Sequence, residues 1–315
     1  MKSRILPLRR GAALQGRRCL VVLLLQVTTP AGVYAEKQIN RPAASSGRVL
    51  YLHGSVSAEG DVPAGEKPAF HQMLLDDAGP RGMSAFRAAI EAVGFEIRQA
   101  YDADVLFTDE YLAPWNVIIL GSNQRRFSPD EADAVQRWVS AGGGLVAWSD
   151  SAFGGHFGKV GLDNPAGRDS DNDLTRQFGM VFLTDNGGGN FLVTDYEEAH
   201  FLNAQNPRGG VRYRGEGVSP VRVTAPARLL AKLQEGGLGG KIMVNKIDGP
   251  FNPQTDAALG VANVGQGRVV GTFDRNTFWN AGEGTRLSHE DNREFAQRLI
   301  LWAAGREEVN PKSSE

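Results

Sequence analysis

The chain has 315 residues, 41% of them hydrophobic, with a formal net charge of −2 and a single cysteine. This hydrophobic fraction supports a sizeable core, which excludes a disordered or fibrous protein. The near-neutral charge excludes the strongly basic surface typical of nucleic-acid binding, so we expect no nucleic-acid partner.

The first 35 residues have the three-part layout of a secretory signal peptide. The basic segment MKSRILPLRRGAALQGRR precedes the mostly apolar CLVVLLLQVTTPAGVYA, and residues 33–35 form a cleavage site. The apolar segment from Cys19 to Leu25 is shorter than the roughly 20 residues that a spanning helix needs, so we expect no membrane span after cleavage. Arg17 and Arg18 also resemble a twin-arginine signal, which leaves both export routes open.

Cleavage after residue 35 would remove six basic residues and leave 28 basic and 36 acidic ones, a net charge of −8. We therefore expect an exported, mildly acidic protein. Because Cys19 would leave with the signal, we expect neither a disulfide nor a cysteine nucleophile in the mature chain.

Composition and pattern divide the remaining chain into three parts. Residues 36–46 are polar with Pro and Ala and are typical of a linker. Residues 47–305 are predicted to form one α/β domain with an irregular, Gly-rich insertion at about 181–249, and residues 306–315 form a C-terminal tail.

Short apolar strands alternate with amphipathic helices in the first half of this domain. Strands are predicted over 48–53, 95–100, 116–120 and 144–148, with a helix over 84–93. A second helix begins at Ser128-Pro129-Asp130-Glu131, which combines a hydroxyl cap, a proline and a carboxylate three residues after the cap. This order predicts a flavodoxin-like parallel sheet with helices on both faces.

Three further elements are predicted in the second half. A short helix over 171–178 would be capped by Asp171 and ended by Gly179, and a hairpin over 258–274 would turn at 265–267. A closing helix is predicted over 288–304.

The segments RVLYLHGS, FSPDEADAVQRWVSAGGGLVAWSD and VANVGQGRVVGTFDRNTFWN carry a family resemblance. The chain resembles the class I glutamine amidotransferase-like superfamily, closest in pattern to its trehalose-utilisation-like and uncharacterised bacterial exported members. In true amidotransferases the turn after the GGGLV-type strand carries a catalytic cysteine, whereas Ser149 stands there in this chain. The resemblance therefore implies the fold without amidotransferase activity, and His289 precedes a helix instead of matching the family's later histidine.

Polar residues follow four predicted strands. Ligands of open parallel sheets bind outside the carboxyl ends of the strands, so these ends predict the rim of a site for a small polar ligand. The family analogy favours a carbohydrate, and we expect no cofactor. The expected ligand-binding residues are His53, Ser55, Ser122, Asn123, Ser149, Asp150, Ser151, Asp274, Arg275, Asn276, Asn280 and Glu283.

Three alternatives remain open from the residues. Ser149 with His53 or His156 as base would make a serine hydrolase. Glu216 and Glu283, each within a Gly-Glu-Gly tripeptide, would make a glycosidase if their carboxyl groups lay roughly 5 to 10 Å apart. The third alternative is an interaction domain whose Gly-rich middle region binds another cell-envelope protein.

The acidic segment DNPAGRDSDND, residues 163–173, places aspartates at 169, 171 and 173 in the manner of a calcium loop. The glycine and the distal glutamate that such loops use are both missing. We therefore expect no metal site, and we expect Asp171 to cap a helix.

Overall fold

The computed structural model describes residues 47–54, 73–121, 123, 125–148, 165–183, 187–204, 209–217, 219–236, 238–242, 248–282 and 284–307. These residues form five α-helices, which are α1 (Ser84–Glu91), α2 (Asp109–Leu112), α3 (Pro129–Ser140), α4 (Pro165–Thr175) and α5 (Asn292–Ala303). Their strands are β1 (Gly47–His53), β2 (Phe95–Tyr101), β3 (Val117–Gly121), β4 (Gly144–Ala147), β5 (Met180–Phe182), β6 (Gly187–Val193), β7 (Tyr213–Glu216), β8 (Val221–Val223), β9 (Arg228–Lys232), β10 (Leu238–Ile242), β11 (Asp256–Val264) and β12 (Gly267–Thr272).

The central sheet has the strand order β2-β1-β3-β4-β12-β11-β8-β5, with β9 paired to β11. The strands β2, β1, β3, β4 and β12 are mutually parallel, whereas β11 runs antiparallel to β12, β8 and β9. The predicted α/β fold with a mostly parallel, flavodoxin-like sheet is confirmed. A smaller antiparallel sheet, β10-β6-β7, comes from the Gly-rich region.

Helices cover both faces of the central sheet because its inner strands are apolar on both sides. Helices α1 and α5 bury Phe86 and Phe295 in the cluster that contains Val49 of β1. Helices α2, α3 and α4 pack on the opposite face, where Trp138 joins the cluster that contains Leu50. Within the part of the chain that is described, no helix has the length and apolar character needed to cross a membrane.

Helix α3 begins as its sequence predicts. The Ser128 hydroxyl accepts a hydrogen bond from the Glu131 amide (3.3 Å), and the Glu131 carboxylate accepts one from the Ser128 amide (3.0 Å). This reciprocal pair satisfies two amides that the first helical turn leaves without partners.

Two helix starts differ from the sequence prediction. Helix α4 begins at Pro165, so Asp171 lies inside a helix and the expectation that it caps one is wrong. Gly179 does end this region, with φ of 77° after a 3-10 turn over Arg176–Phe178. The closing helix begins at Asn292 instead of 288, because Glu290 has φ of 45°, which a right-handed helix cannot include.

Candidate functional site

The parallel strands β1, β3, β4 and β12 end at one edge of the sheet, where polar and aromatic side chains collect. We call the described members of this group the rim: Tyr51, His53, Asn123, Trp148, Arg275 and Asn276. Seven residues predicted for this region, either as ligand-binding or as catalytic, lie outside the described residues: Ser55, Ser122, Ser149, Asp150, Ser151, His156 and Glu283.

Tyr51, the rim residue of β1, is fully buried. Its ring packs over Gly121 at the end of β3, 6.1 Å from the Trp148 ring and 5.9 Å from the imidazole of His53. Burial raises the pKa of the Tyr51 hydroxyl far above its ordinary value, while the positive charge of Arg275 lowers it. The hydroxyl is therefore neutral and can both donate and accept a hydrogen bond.

Trp148 follows β4, and its ring packs against two aromatic rings of the core. Its ring lies 4.4 Å from Phe278 and makes an edge contact with Phe86 at 5.4 Å. Both neighbours are core residues, so the position of the indole is fixed by packing.

Helix α4 contributes a carboxylate to the same region. The side-chain amide nitrogen of Asn123 donates to Asp171 Oδ1 at 2.6 Å, and both residues are fully buried. The charge of Asp171 also acts on the Tyr51 hydroxyl. Asp171 is not one of the ligand-binding residues predicted from the sequence.

Four buried polar atoms of the rim have no hydrogen-bond partner among the described residues: Tyr51 Oη, Asn123 Oδ1, Trp148 Nε1 and Asn276 Oδ1. A buried polar atom left in this state costs about 1–3 kcal/mol. Such atoms are uncommon in native proteins, and a binding site is one physical reason to keep them. Together they present acceptors, a donor and a hydroxyl at one edge of the sheet.

His53 is 2% exposed, and its Nδ1 lies 2.8 Å from the carbonyl oxygen of Gly54. A protonated Nδ1 that donates to this carbonyl leaves Nε2 as the acceptor of the neutral ring. This tautomer is the one that a general base uses. Ser149, for which His53 or His156 was predicted as the base, lies outside the described residues, and so does His156.

Two residues predicted to bind ligand are instead used within the fold. The Asp274 carboxylate accepts hydrogen bonds from the amides of Glu216, Asn276 and Thr277. The Asn280 side chain donates to the carbonyls of residues 77 and 79 and accepts from the amide of residue 85, which joins the start of α1 to the loop before it. We therefore leave both out of the proposed ligand-binding set.

The two Gly-Glu-Gly tripeptides come together in the structure. A Cβ added to Gly284 would fall on the carboxyl group of Glu216, so Glu216 rests against the second tripeptide. Glu283 lies outside the described residues, so the pairing of the two carboxyl groups stays a prediction.

The aspartates of the calcium-like segment have other partners where their side chains are described. Asp171 binds Asn123, and Asp173 forms an ion pair with Arg126 at 2.7 Å. Among the described residues, no group of three or more His, Cys, Asp or Glu side chains is placed to hold a metal ion.

An open sheet with five parallel strands and helices on both faces places the chain in the flavodoxin-like class of α/β proteins. The chain matches no family model and no curated protein.

Solved structures do resemble it. The mmIFT52 N-terminal domain is 13% identical with a TM-score of 0.53, over 82% of this chain and 97% of that one. The cytoplasmic protein STM1381 from Salmonella typhimurium LT2 is 13% identical with a TM-score of 0.52, over 81% and 99%. A putative ThuA-like protein from Parabacteroides merdae is 12% identical with a TM-score of 0.49, over 85% and 94%. The first two similarities support the fold, and at these identities they show the fold alone.

Three important residues of the site, Tyr51, Trp148 and Asp171, were missing from the residues predicted from the sequence. Tyr51 and Trp148 stand in apolar strand segments, where an aromatic ring normally indicates core. Their polar tips could have indicated a site, because a buried tyrosine hydroxyl or indole N–H usually has a partner.

Proposed function

We propose that this chain is an exported, amidotransferase-like domain without amidotransferase activity, and that it binds a small polar ligand such as a carbohydrate at the rim. The observation that carries the proposal is the set of four buried rim atoms without partners among the described residues. A ligand that bonds to all four would remove a penalty of about 1–3 kcal/mol per atom.

The chemistry of these atoms favours a polyhydroxylated ligand. Asn123 Oδ1 and Asn276 Oδ1 need donors, Trp148 Nε1 needs an acceptor, and the Tyr51 hydroxyl can take either. Sugar hydroxyls supply donors and acceptors in a compact group. The absence of a thiol in the sequence after Cys19 supports the loss of amidotransferase chemistry.

The test is a thermal-shift and calorimetric screen of the mature protein against neutral sugars, polyols and amino acids. A ligand that binds only the native state raises the melting temperature. Tyr51→Phe and Asn276→Ala should each reduce the affinity for the ligand that is found by about fivefold or more, since each removes one buried hydrogen bond.

Tyr213→Phe is the matched control. Tyr213 is as buried as Tyr51, but its hydroxyl already donates to the Ala258 carbonyl at 3.1 Å. This variant should bind the ligand as the wild type does. No binding across the panel, or equal losses in the two tyrosine variants, would refute the proposal.

A glycosidase is the second candidate, and the contact of Glu216 with Gly284 favours it because it brings the two tripeptides together. In this case Glu216→Gln would abolish cleavage of chromogenic glycosides and leave the melting temperature unchanged. Wild-type protein without activity on such substrates would exclude this candidate.

A further inference from the structure

The geometry points to a second binding site, formed by Arg214, Arg286 and His289, that takes an oxyanion group such as a phosphate or a carboxylate. It stands beside the rim, and its evidence does not depend on the identity of the rim's ligand.

One buried amide holds the backbone of this site together. Asn292 is fully buried at the start of α5, and its Oδ1 accepts from the Arg214 amide at 2.7 Å. Its Nδ2 donates to the carbonyls of Arg214 (3.1 Å) and Arg286 (2.8 Å). Thr285 adds a hydroxyl bond to the Arg214 carbonyl at 3.0 Å. The backbones of Arg214 and Arg286 are therefore fixed relative to each other.

The basic groups at this site have few partners. Among the described residues, the Arg286 guanidinium forms no ion pair or hydrogen bond, and its Nε is buried. The Nδ1 atom of His289 is also buried without a partner. Arg214 donates from Nε to the side-chain oxygen of Asn190 at 3.3 Å, which is a long contact with a neutral group.

The nearby carboxylates that are described make contacts other than ion pairs with these arginines. Glu290 forms its ion pair with Arg212 at 3.4 Å. Glu216 lies two residues after Arg214 on the same face of β7, yet its carboxyl group rests against Gly284. Within the described part of the chain, no carboxylate forms an ion pair with either Arg214 or Arg286.

The charges of both arginines act on His289. Burial lowers the pKa of its imidazole, and the positive charges of Arg214 and Arg286 lower it further, while Glu290 raises it. Like charges held together in this way repel each other unless an anion neutralises them. Two guanidinium groups are well suited to an oxyanion, because each presents parallel N–H donors to a pair of oxygens.

The site adjoins the rim through Thr277. The Thr277 hydroxyl donates to the Arg214 carbonyl at 3.1 Å, and Thr277 directly follows the rim residue Asn276. The backbone of Arg214 therefore lies against the segment that follows β12, and we infer that the oxyanion binds near this end of the sheet. A ligand with both hydroxyls and an anionic group, such as a sugar acid or a sugar phosphate, could reach both places.

The experiment is calorimetry at low salt with inorganic phosphate, D-glucuronate and D-glucose. Phosphate and glucuronate test the two oxyanion sources, and the tighter of the two identifies the preferred group. Arg286→Gln and Arg214→Gln should each weaken the oxyanion that binds by about tenfold or more, since each removes a charge-assisted pair. Arg286→Lys keeps the positive charge but lacks the parallel N–H donors of a guanidinium group, so it should give an intermediate loss of affinity.

Arg293→Gln is the control, because Arg293 is exposed on α5. It should leave the affinity unchanged. Binding of neither oxyanion by the wild type, or an equal loss in Arg293→Gln and Arg286→Gln, would overturn the inference. Arg286→Gln removes no observed side-chain contact, so its melting temperature should match the wild type. Tyr51→Phe should not affect phosphate binding, so failure at this site and failure at the rim give different results.

Discussion

Two groups of buried polar side chains lie at the same end of the sheet and differ in how they are paired. The first group, which we call the junction, consists of Asn292, Asp274, Thr277 and Thr285. Each of these side chains forms a hydrogen bond with the backbone of β7. In the rim, four buried polar atoms lack partners among the described residues. The junction uses its polar atoms to stabilise the fold, whereas the rim atoms are the ones that we propose a ligand satisfies.

The largest expected effect comes from the same substitution made in both groups. Asn292→Ala should lower the free energy of unfolding by about 3 kcal/mol, because it leaves buried groups of Arg214 and Arg286 without partners. Asn276→Ala should change it by less than about 0.5 kcal/mol, since the side-chain oxygen of Asn276 is unpaired. Urea unfolding measures both values, and similar losses in the two variants would contradict the distinction.

The Tyr→Phe substitution at two buried tyrosines should have smaller effects on stability, and these should differ in sign. Tyr213→Phe should cost about 1 kcal/mol, because it removes the bond to the Ala258 carbonyl. Tyr51→Phe, without ligand, should leave stability unchanged or raise it by up to about 1 kcal/mol, since it removes an unpaired buried hydroxyl. Differential scanning calorimetry of the two variants checks the signs, and a destabilised Tyr51→Phe would show that its hydroxyl has a partner.

The smallest effect is a pH dependence at His200, a paired side chain like those of the junction. Its Nδ1 accepts from the Leu202 amide at 3.2 Å, and its ring packs on Trp302. Burial lowers the pKa of His200 below its ordinary value, and the charge of Arg228 adds to this. The unfolded chain therefore binds the proton first as the pH falls, so this contribution is present above about pH 6.5 and is lost below it.

His200→Asn, which keeps an acceptor at the same place, should reduce the loss of stability between pH 7.5 and 5.5. Urea midpoints at several pH values give this slope. An unchanged slope would show that His200 titrates alike in the folded and unfolded chains. His289, whose pKa is also lowered, should supply part of the slope that remains in the variant.

Much of the fold could be predicted from local patterns. The apolar segments at β1 to β4 and the capping residues of α3 are correctly placed within a residue or so, because strand burial and helix capping depend on neighbouring residues. The start of α4 could not be predicted in this way. The Asp171 side chain looked like a cap in the sequence, yet it lies within a helix and binds Asn123, 48 residues away.

The site shows the same division. The polar residues after each strand predicted the edge of the sheet at which His53, Asn123, Arg275 and Asn276 lie. The sequence could not show that Asp274 and Asn280 are used by neighbouring backbone groups, because those partners come from β7 and from the loop before α1. It also gave no sign that the backbones of Arg214 and Arg286, 72 positions apart, bond to one buried side-chain amide, that of Asn292.

By itself, the sequence determined the alternation of strands and helices, the sheet edge that collects polar residues, and the absence of a thiol after Cys19. These features depend on residue identity and short-range periodicity. The tertiary structure alone decided which polar atoms are paired, because a hydrogen bond needs two groups within about 3 Å, and chain segments far apart in sequence supply them. This pairing separates the junction, which stabilises the fold, from the rim and from the site of Arg214, Arg286 and His289, both of which we propose bind ligands.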